Sequence, residues 1–512
     1  MKNTNKNAHF HVIINLNIIE RKWTVNEISL KNFFKYTNSV YQIGEEINSL
    51  ERQNLNCSRK PKTKASTVGK MIFTTATLNY KSINELKETA FNNVTSFKNL
   101  FKRNEYVPKT HGIRDCVMDT DYHQIEAINK KVISKIKNNR IFDKNKVDGL
   151  TVIAWDGCDL KETTKDIENL PEREYKDNDI RKYIKYLTAM NVGPRANIII
   201  DTIQMTEQEK VLTESGKLKA KTFGETTALE KMWPTIKGIF GHSYFVNVMD
   251  ALYLNSKVLN TINNDQQYFV VRMEDETRLI YKDAEGLFKR TSPKFEYEIV
   301  EEITQKTVVY SKTAKHKNYT KSKIRLIERD ITNTKLNEKI LVREYETKKK
   351  NSTIYNKVYE RVIKAVKVWS DTFELTNYEG IVKVIKATET TLKYEKKEDQ
   401  EKEVVNDIYV CTNMINHDDK LILKIMHLRW NIENNGFRTL KQQFHVNHIF
   451  IGEFNAINYI FQMIILVFNL IQLYFKIRKN DKITCSCNLV KKIFELDIIH
   501  TKEIWKYLSN EI

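Results

Sequence analysis

The 512-residue chain contains only 14 Gly and 6 Pro, well below their ordinary shares of about 7% and 5%. That scarcity excludes collagen-like, Gly/Ser-linker and Pro-rich architectures. Six Cys make no disulfide scaffold at this length, and no apolar leader follows Met1. A reducing cytosol is therefore expected. A Gly-rich phosphate loop, a dinucleotide fingerprint and a nucleophile elbow are all missing, so ATP-driven chemistry has no support. Long apolar runs are also missing, except at Asn458–Phe475. Gln462, Asn469 and Gln472 interrupt that run, and its length suits a helix buried in a large protein better than a membrane span.

What the chain has in excess is positive charge: 84 Lys+Arg against 65 Asp+Glu, a net of +19. With 41% apolar and 29% charged residues, it is expected to be globular and to divide into two to four domains. Lys, Asn and Ile are over-used throughout, as an AT-rich genome dictates, which discounts part of the charge. The remainder favours a polyanionic partner, because clustered Lys and Arg gain affinity by releasing counterions from phosphates. The excess is also localised. Residues 305–371 hold 18 Lys/Arg against 7 Asp/Glu, an excess of 11, interleaved with Tyr310, Tyr319, Tyr345, Tyr355, Tyr359 and Trp369. Cations among aromatics are the mixture that grips a nucleic-acid backbone and stacks bases.

Periodicity divides the chain. Residues 1–140 read as helical, notably Leu30–Leu50 and Ile83–Leu100, on either side of a basic polar loop at Ser58–Lys64. From Gly149 the pattern becomes strand-like: 149–155, 183–188 and 197–204, then a helix at 226–236, a strand at 244–249, a helix at 251–262 and a strand at 268–273. That order predicts an α/β core with a mixed sheet. Residues 273–416 read as a run of short strands, beginning with 295–300 and 307–310, with no long amphipathic helix. Asp418–Phe444 is one long candidate helix, followed by helices over 450–478 and 493–508.

Two aspartates fall where strands are expected to end, Asp156 in Trp-Asp-Gly and Asp250 in Met-Asp-Ala-Leu-Tyr. Alone, each is ordinary turn chemistry. Glu433 on the long helix, four residues after Arg429, supplies a third carboxylate. Three carboxylates suit a hard divalent cation that keeps waters for phosphate oxygens. Cys485-Ser-Cys487 lacks a second ligand pair at zinc spacing, so reduced thiols are expected there.

Taken together, these motifs resemble the DDE transposases of bacterial insertion sequences, in the insertion-sequence-four branch with its Tyr-x2-Arg-x3-Glu-x6-Lys signature. Arg429, Trp430, Ile432 and Glu433 match its Arg-Trp-x-Ile-Glu core, and Phe437, Leu440 and Lys441 match the family's Phe and Leu-Lys after that core. Asp156-Gly157 and Asp250-Ala-Leu-Tyr253 look like its two aspartate motifs. Two positions depart from the pattern. Met426 stands at the signature tyrosine, and Lys441 lies eight residues after Glu433 rather than seven. At about 100° per residue, eight residues put Lys441 some 80° round the helix from Glu433, unless one residue is absorbed as a bulge near Asn435-Gly436. Arg438 is the alternative cation.

The resemblance implies a ribonuclease-H-like α/β core interrupted by a β-rich insertion, with helical N- and C-terminal regions. The expected divisions are a helical DNA-end-binding region at 1–140, the first part of the core at 141–272, the basic insertion at 273–416, the core helix with the catalytic Glu at 417–449, and a helical, dimerising region at 450–512. The spacing agrees: Asp250 to Glu433 is 183 residues (433 − 250), when one helix, one strand and a loop need roughly 40–60. The resemblance further implies Mg²⁺, replaceable by Mn²⁺, on Asp156, Asp250 and Glu433. Arg429, Lys441, Arg438 and Trp369 would contact DNA. The implied reaction is cleavage at the element's inverted-repeat ends and joining of the 3′-OH ends to target DNA, by a homodimer in the bacterial cytoplasm, with no membrane involved. Two alternatives stand beside it: a metal-dependent nuclease of the same fold that does not join, and a degenerate DNA-binding regulator.

Overall fold

A computed structural model describes residues 29–53, 63–82, 84–85, 106, 108–175, 179–212, 218–222, 224–310, 319–330, 341–349, 352–395, 400–448, 451–478 and 494. The expected loop over 58–62, nearly all of the helices over 83–100 and 493–508, and Cys485–Cys487 lie outside the described residues.

Helices α1 (Leu30–Tyr41), α2 (Ile43–Asn48), α3 (Ala65–Thr77), α4 (Thr110–Asp119) and α5 (His123–Asn138) come first. Strands β1 (Thr151–Thr163), β2 (Glu172–Glu174), β3 (Ile180–Val192), β4 (Ile198–Gln204), β5 (Glu207–Leu212) and β6 (Leu218–Thr222) follow. Next are α6 (Glu225–Phe240), β7 (Phe245–Met249), α7 (Ser256–Asn264), β8 (Tyr268–Met273) and α8 (Leu279–Phe288). Six longer strands come after them: β9 (Phe295–Tyr310), β10 (Tyr319–Asp330), β11 (Leu341–Lys349), β12 (Ser352–Glu374), β13 (Ile381–Glu395) and β14 (Gln400–Thr412). The chain then runs through α9 (Asp419–Leu428), a π-helix (Ile432–Phe437), α10 (Arg438–Gln442), α11 (Phe454–Gln472) and a second π-helical turn (Leu473–Arg478). This is an α/β protein with a mixed sheet, and between 149 and 273 the expected elements occur in the expected order, with β2, β5 and β6 added to them.

Several bounds differ from the expectations. The helix expected over Leu30–Leu50 is broken at Gln42, which takes a left-handed conformation (φ 59°), and Asn38 Oδ1 accepts from the Gly44 N–H to hold the break. Strand β1 does not end at Asp156 but runs on to Thr163, because its second half continues to pair beside β3. The runs expected at 295–300 and 307–310 are one strand: β9 is paired with both β10 and β12 across Thr304–Lys306, so its polar middle is bonded on both sides. The ten-residue helix α8 lies in the stretch expected to be all strand, burying Ile280, Tyr281, Ala284 and Phe288 at helical spacing.

The residues group into two compact units, 1–151 with 156–242 and 430–512, and 152–155 with 243–429. In the first unit, β3 is flanked by β1, with β2 and β4 antiparallel to it. Helix α11 is the centre of this unit, packed against α3, α4, α5 and β4. It is long and apolar enough to cross a membrane, yet most of it is buried inside the protein. Its amides explain the docking. Tyr186 donates to Asn458 Oδ1 (2.9 Å), whose amide donates to Gln204; Gln462 donates to Thr202 Oγ1 (3.0 Å); Asn469 bonds both the N–H and the C=O of Ile199 (2.9 and 2.8 Å). Eleven helical residues rise about 16.5 Å at 1.5 Å each, and five strand residues span the same length at about 3.3 Å each. The amide spacing along α11 therefore matches the residue spacing along β4, running in the opposite direction.

In the second unit β7 and β8 are parallel, and β8, β14, β13, β12, β9 and β10 follow in antiparallel pairs, with β11 also on β12. Val152–Trp155 of β1 completes this unit beside β7, where the Trp155 indole donates to Asn247 Oδ1 (2.8 Å). Helices α7 and α9 pack on β8, and α8 packs on β12. One ionic knot fixes the start of α9. Asp419, 4% exposed, accepts from Ser370 Oγ (2.6 Å), from Lys383 (3.1 Å, 10% exposed) and from Lys294 (3.4 Å).

Candidate active site

Asp156 lies in the middle of β1, at the first residue that strand gives to the first unit. Its Oδ1 accepts from the Gly157 N–H (2.9 Å). The next inward residue, Cys158, is buried, and burial pushes its thiol up to about 12, with Lys441 pulling against that and Asp156 adding to it. Lys441 and Asp156 thus share one electrostatic neighbourhood. Beside Gly157, Glu225 in the first turn of α6 pairs with Lys185 of β3 (2.8 Å), and Lys185 also faces Asp159 (3.5 Å). Burial works against the Lys185 charge, but the Glu225 hydrogen bond and charge outweigh it and hold the ammonium above its ordinary value.

Asp250 follows β7, as expected, and belongs to the second unit. It caps a 3₁₀ turn (Ala251–Tyr253), Oδ1 accepting from the Leu252 N–H (3.0 Å). The helix expected from 251 starts only at Ser256, where Asn255 provides a fresh N-cap.

Glu433 is exposed on the π-helical segment Ile432–Phe437, and its carbonyl accepts from the N–H of Arg438, five residues on. The extra residue between Glu433 and Lys441 is therefore absorbed where the sequence placed it. Eight residues act as seven α-helical steps, about 700°, which leaves Lys441 roughly 20° from the Glu433 direction instead of 80°. The bulge has a packing cause. Ile432 and Phe437 at its two ends and Leu440 in α10 are all buried, and a regular helix would turn the last two away from the core. Keeping them buried is worth about 1.5–3 kcal/mol each, more than the roughly 0.5–1.5 kcal/mol of one poorly made backbone bond. Gly436 permits the approach, since a Cβ there would meet Met190 Sδ of β3 at 3.1 Å.

The other positions read from the sequence are placed as follows. Arg429 is buried at the C-cap of α9, in the second unit. Met426, at the signature-tyrosine position, is buried and fills the core. Arg438 is exposed at the start of α10. Trp369 is on β12, its indole N–H donating to the Thr291 carbonyl (3.0 Å) and its ring facing the Lys386 ammonium at 5.3 Å. Glu225 and Lys185 carry no signal in the sequence that singles them out. Among the described residues, no group of three or more His, Cys, Asp or Glu side chains is gathered closely enough to hold a metal ion.

Residues 218–470 match the family model described as the transposase DDE domain. Over that stretch the chain is similar to a transposase DDE domain. That similarity supports a transposase, an enzyme whose substrate class is DNA. The DDE match takes in Asp250, Glu433, Lys441 and all of β7 to β14, and starts after Asp156. No protein of curated function matches the chain.

Proposed function

We propose that this protein is a DNA transposase of the insertion-sequence-four type. It cuts its own element at the terminal inverted repeats and joins the 3′-OH ends to target DNA, as a homodimer in the bacterial cytoplasm. The observation that carries the reading is the DDE domain over 218–470, enclosing Asp250 at a strand end and Glu433 on a helix. In this reading the core is ribonuclease-H-like, residues 273–416 are a DNA-contacting insertion, 1–140 bind the element ends, and 450–512 contribute to the dimer.

Asp156, Asp250 and Glu433 would each supply anionic oxygen, the donor chemistry that a hard cation such as Mg²⁺ takes, with Mn²⁺ substituting. When bound, such ions stabilise the attacking and leaving oxygens of an in-line phosphodiester substitution. The chain's own cations do the rest. Lys441, returned to the Glu433 side by the π-helix, holds a phosphate oxygen close to the reacting bond, and Arg429 offers a planar, bidentate grip on another. Arg438 adds an exposed cation one turn away. Trp369, with Lys386 already over its ring, contributes by stacking on DNA at the insertion.

The test is cleavage and joining on DNA carrying the gene's own flanks, with Mg²⁺ and then Mn²⁺. Wild type is compared with Asp250→Asn, which keeps the shape and the cap acceptor but removes the charge. End cleavage with joined products in wild type alone is the expected result. Cleavage without joining would leave a nuclease, and binding without cleavage by either protein would leave a DNA-binding regulator.

A further inference from the structure

The Glu225–Lys185 pair is placed in a way that neither stability nor surface chemistry explains. Its side chains are only 11% and 21% exposed, and an ion pair taken that far from water roughly breaks even in energy. What the pair gains is position. Glu225 comes from the N-terminus of α6, where the helix dipole favours a carboxylate, and Lys185 comes from β3. Both press on β1 at one point, Gly157. A Cβ at Gly157 would fall 2.6 Å from Glu225 Cδ and 2.9 Å from Lys185 Cε, so the tips of both flexible side chains would have to move aside. The space a side chain would need is already filled by the ion pair.

Gly157 is also the residue whose N–H donates to Asp156 Oδ1. A physical chain therefore runs from the Glu225 carboxylate to the Gly157 Cα, through the Gly157 N–H, to the Asp156 carboxylate. All of its members lie in the first unit. Lys185 extends the chain outward, to Asp159 at 3.5 Å, and Asp159 reaches Arg173 at 3.7 Å.

We propose that the Glu225–Lys185 ion pair positions the Asp156 carboxylate, acting through Gly157, and that a side chain at 157 would disturb Asp156 by displacing the pair. The inference rests on the reading of Asp156 as a metal-holding carboxylate. Glu225 and Lys185 are positioning residues in it: they fix the strand backbone that aims Asp156 and touch neither DNA nor metal.

The experiment uses the full-length protein, with Mn²⁺ binding followed by calorimetry beside end cleavage at graded Mg²⁺. Thermal melts and DNA binding report the fold of each variant. Asp156→Asn is the reference. Glu225→Gln and Lys185→Met are expected to weaken Mn²⁺ binding about 10–100-fold, the usual loss when an outer partner of a metal ligand is removed. Both should raise the Mg²⁺ needed for half-maximal cleavage while leaving DNA binding unchanged. Gly157→Ala should show a similar loss in the wild-type background and little further loss in Glu225→Ala/Lys185→Ala, where both side chains it would displace are gone. Wild-type Mn²⁺ affinity in Glu225→Gln and Lys185→Met, with Asp156→Asn impaired, overturns the positioning role alone. So does an equal cost of Gly157→Ala with and without the Glu225–Lys185 pair. Wild-type Mn²⁺ affinity in Asp156→Asn overturns the metal reading of that residue, and the positioning role with it.

Discussion

Deleting Asn435 tests the origin of the π-helix directly. Asn434 and Asn435 are exposed on the bulged segment, while Ile432 and Phe437 at its ends and Leu440 beyond it are buried. Removing one exposed residue lets Ile432–Gln442 become a regular α-helix with Lys441 seven residues from Glu433. Both buried faces stay in register, at about −20°. The burial worth about 1.5–3 kcal/mol for each of Phe437 and Leu440 is kept, and one well-made backbone bond is regained at about 0.5–1.5 kcal/mol. The deletion should therefore melt at the wild-type temperature or slightly above, and retain end cleavage. Inserting Ala after Asn435 is the opposite perturbation. It turns Lys441, Phe437 and Leu440 a further 100° or so, losing that burial together with a charge-assisted phosphate contact of about 1.5–3 kcal/mol, roughly 10–150-fold in cleavage rate. Thermal melts and the end-cleavage assay read both. If the deletion unfolds the protein or abolishes cleavage while Asn435→Ala is neutral, the bulge is not an absorbed insertion and the reasoning fails.

Asp419→Ala removes the carboxylate from a Lys383 that is only 10% exposed, so a loss of about 3–5 kcal/mol is expected in denaturant unfolding. Asp419→Leu with Lys383→Met should recover most of it, and a double variant as unstable as the single would contradict the uncompensated-charge account. Asn469→Leu strands both the N–H and the C=O of Ile199, at about 1–3 kcal/mol for each; a melt within about 0.5 kcal/mol of wild type would refute the pairing. Burial pushes the Asp201 carboxyl up from 3.8 to about 6, against the Thr202 N–H and Lys130. Because the folded value is raised, this group's stabilisation is complete below about pH 4 and lost as pH rises through about 6. Asp201→Asn should thus stabilise the protein at pH 7.5, by at most about 3 kcal/mol, and do little at pH 4. An equal gain at both values would exclude titration as the cause.

Elements with a strong local period are legible in the sequence. The strand–helix alternation from 149 to 273, the helix on which Glu433 lies and the buried helix after 450 all show in apolar spacing alone. The bulge is legible too, because a lysine displaced by one residue in an otherwise matching helix has few geometric outcomes. The course of β1 through Asp156 is not. Asp-Gly reads as a turn, and only pairing with a distant strand overrules it. Strand β9 reads as two strands for the same reason: Thr304, Gln305 and Lys306 look like a break until partners on both sides satisfy the backbone. Glu225 and Lys185 have no local signal at all. Their meaning lies in a contact with Gly157, a residue distant in sequence, and a glycine after a catalytic-looking aspartate is the one visible hint. Helix α8 is within reach, since its buried positions keep the helical period.

Helix α11 and its amides also bear on how the protein is made. A segment as long and apolar as Phe454–Ile477 resembles what the membrane-insertion machinery selects from a nascent chain. Each side-chain amide resists that outcome, because moving an amide into hydrocarbon without a partner costs about 4–8 kcal/mol. Order of synthesis supplies the partner. Gln204 leaves the ribosome 254 residues before Asn458, about 13–50 s earlier at about 5–20 residues per second. The strand that receives the helix has been synthesised before the helix appears, so the side chains that set its register on β4 also direct it away from lipid during translation.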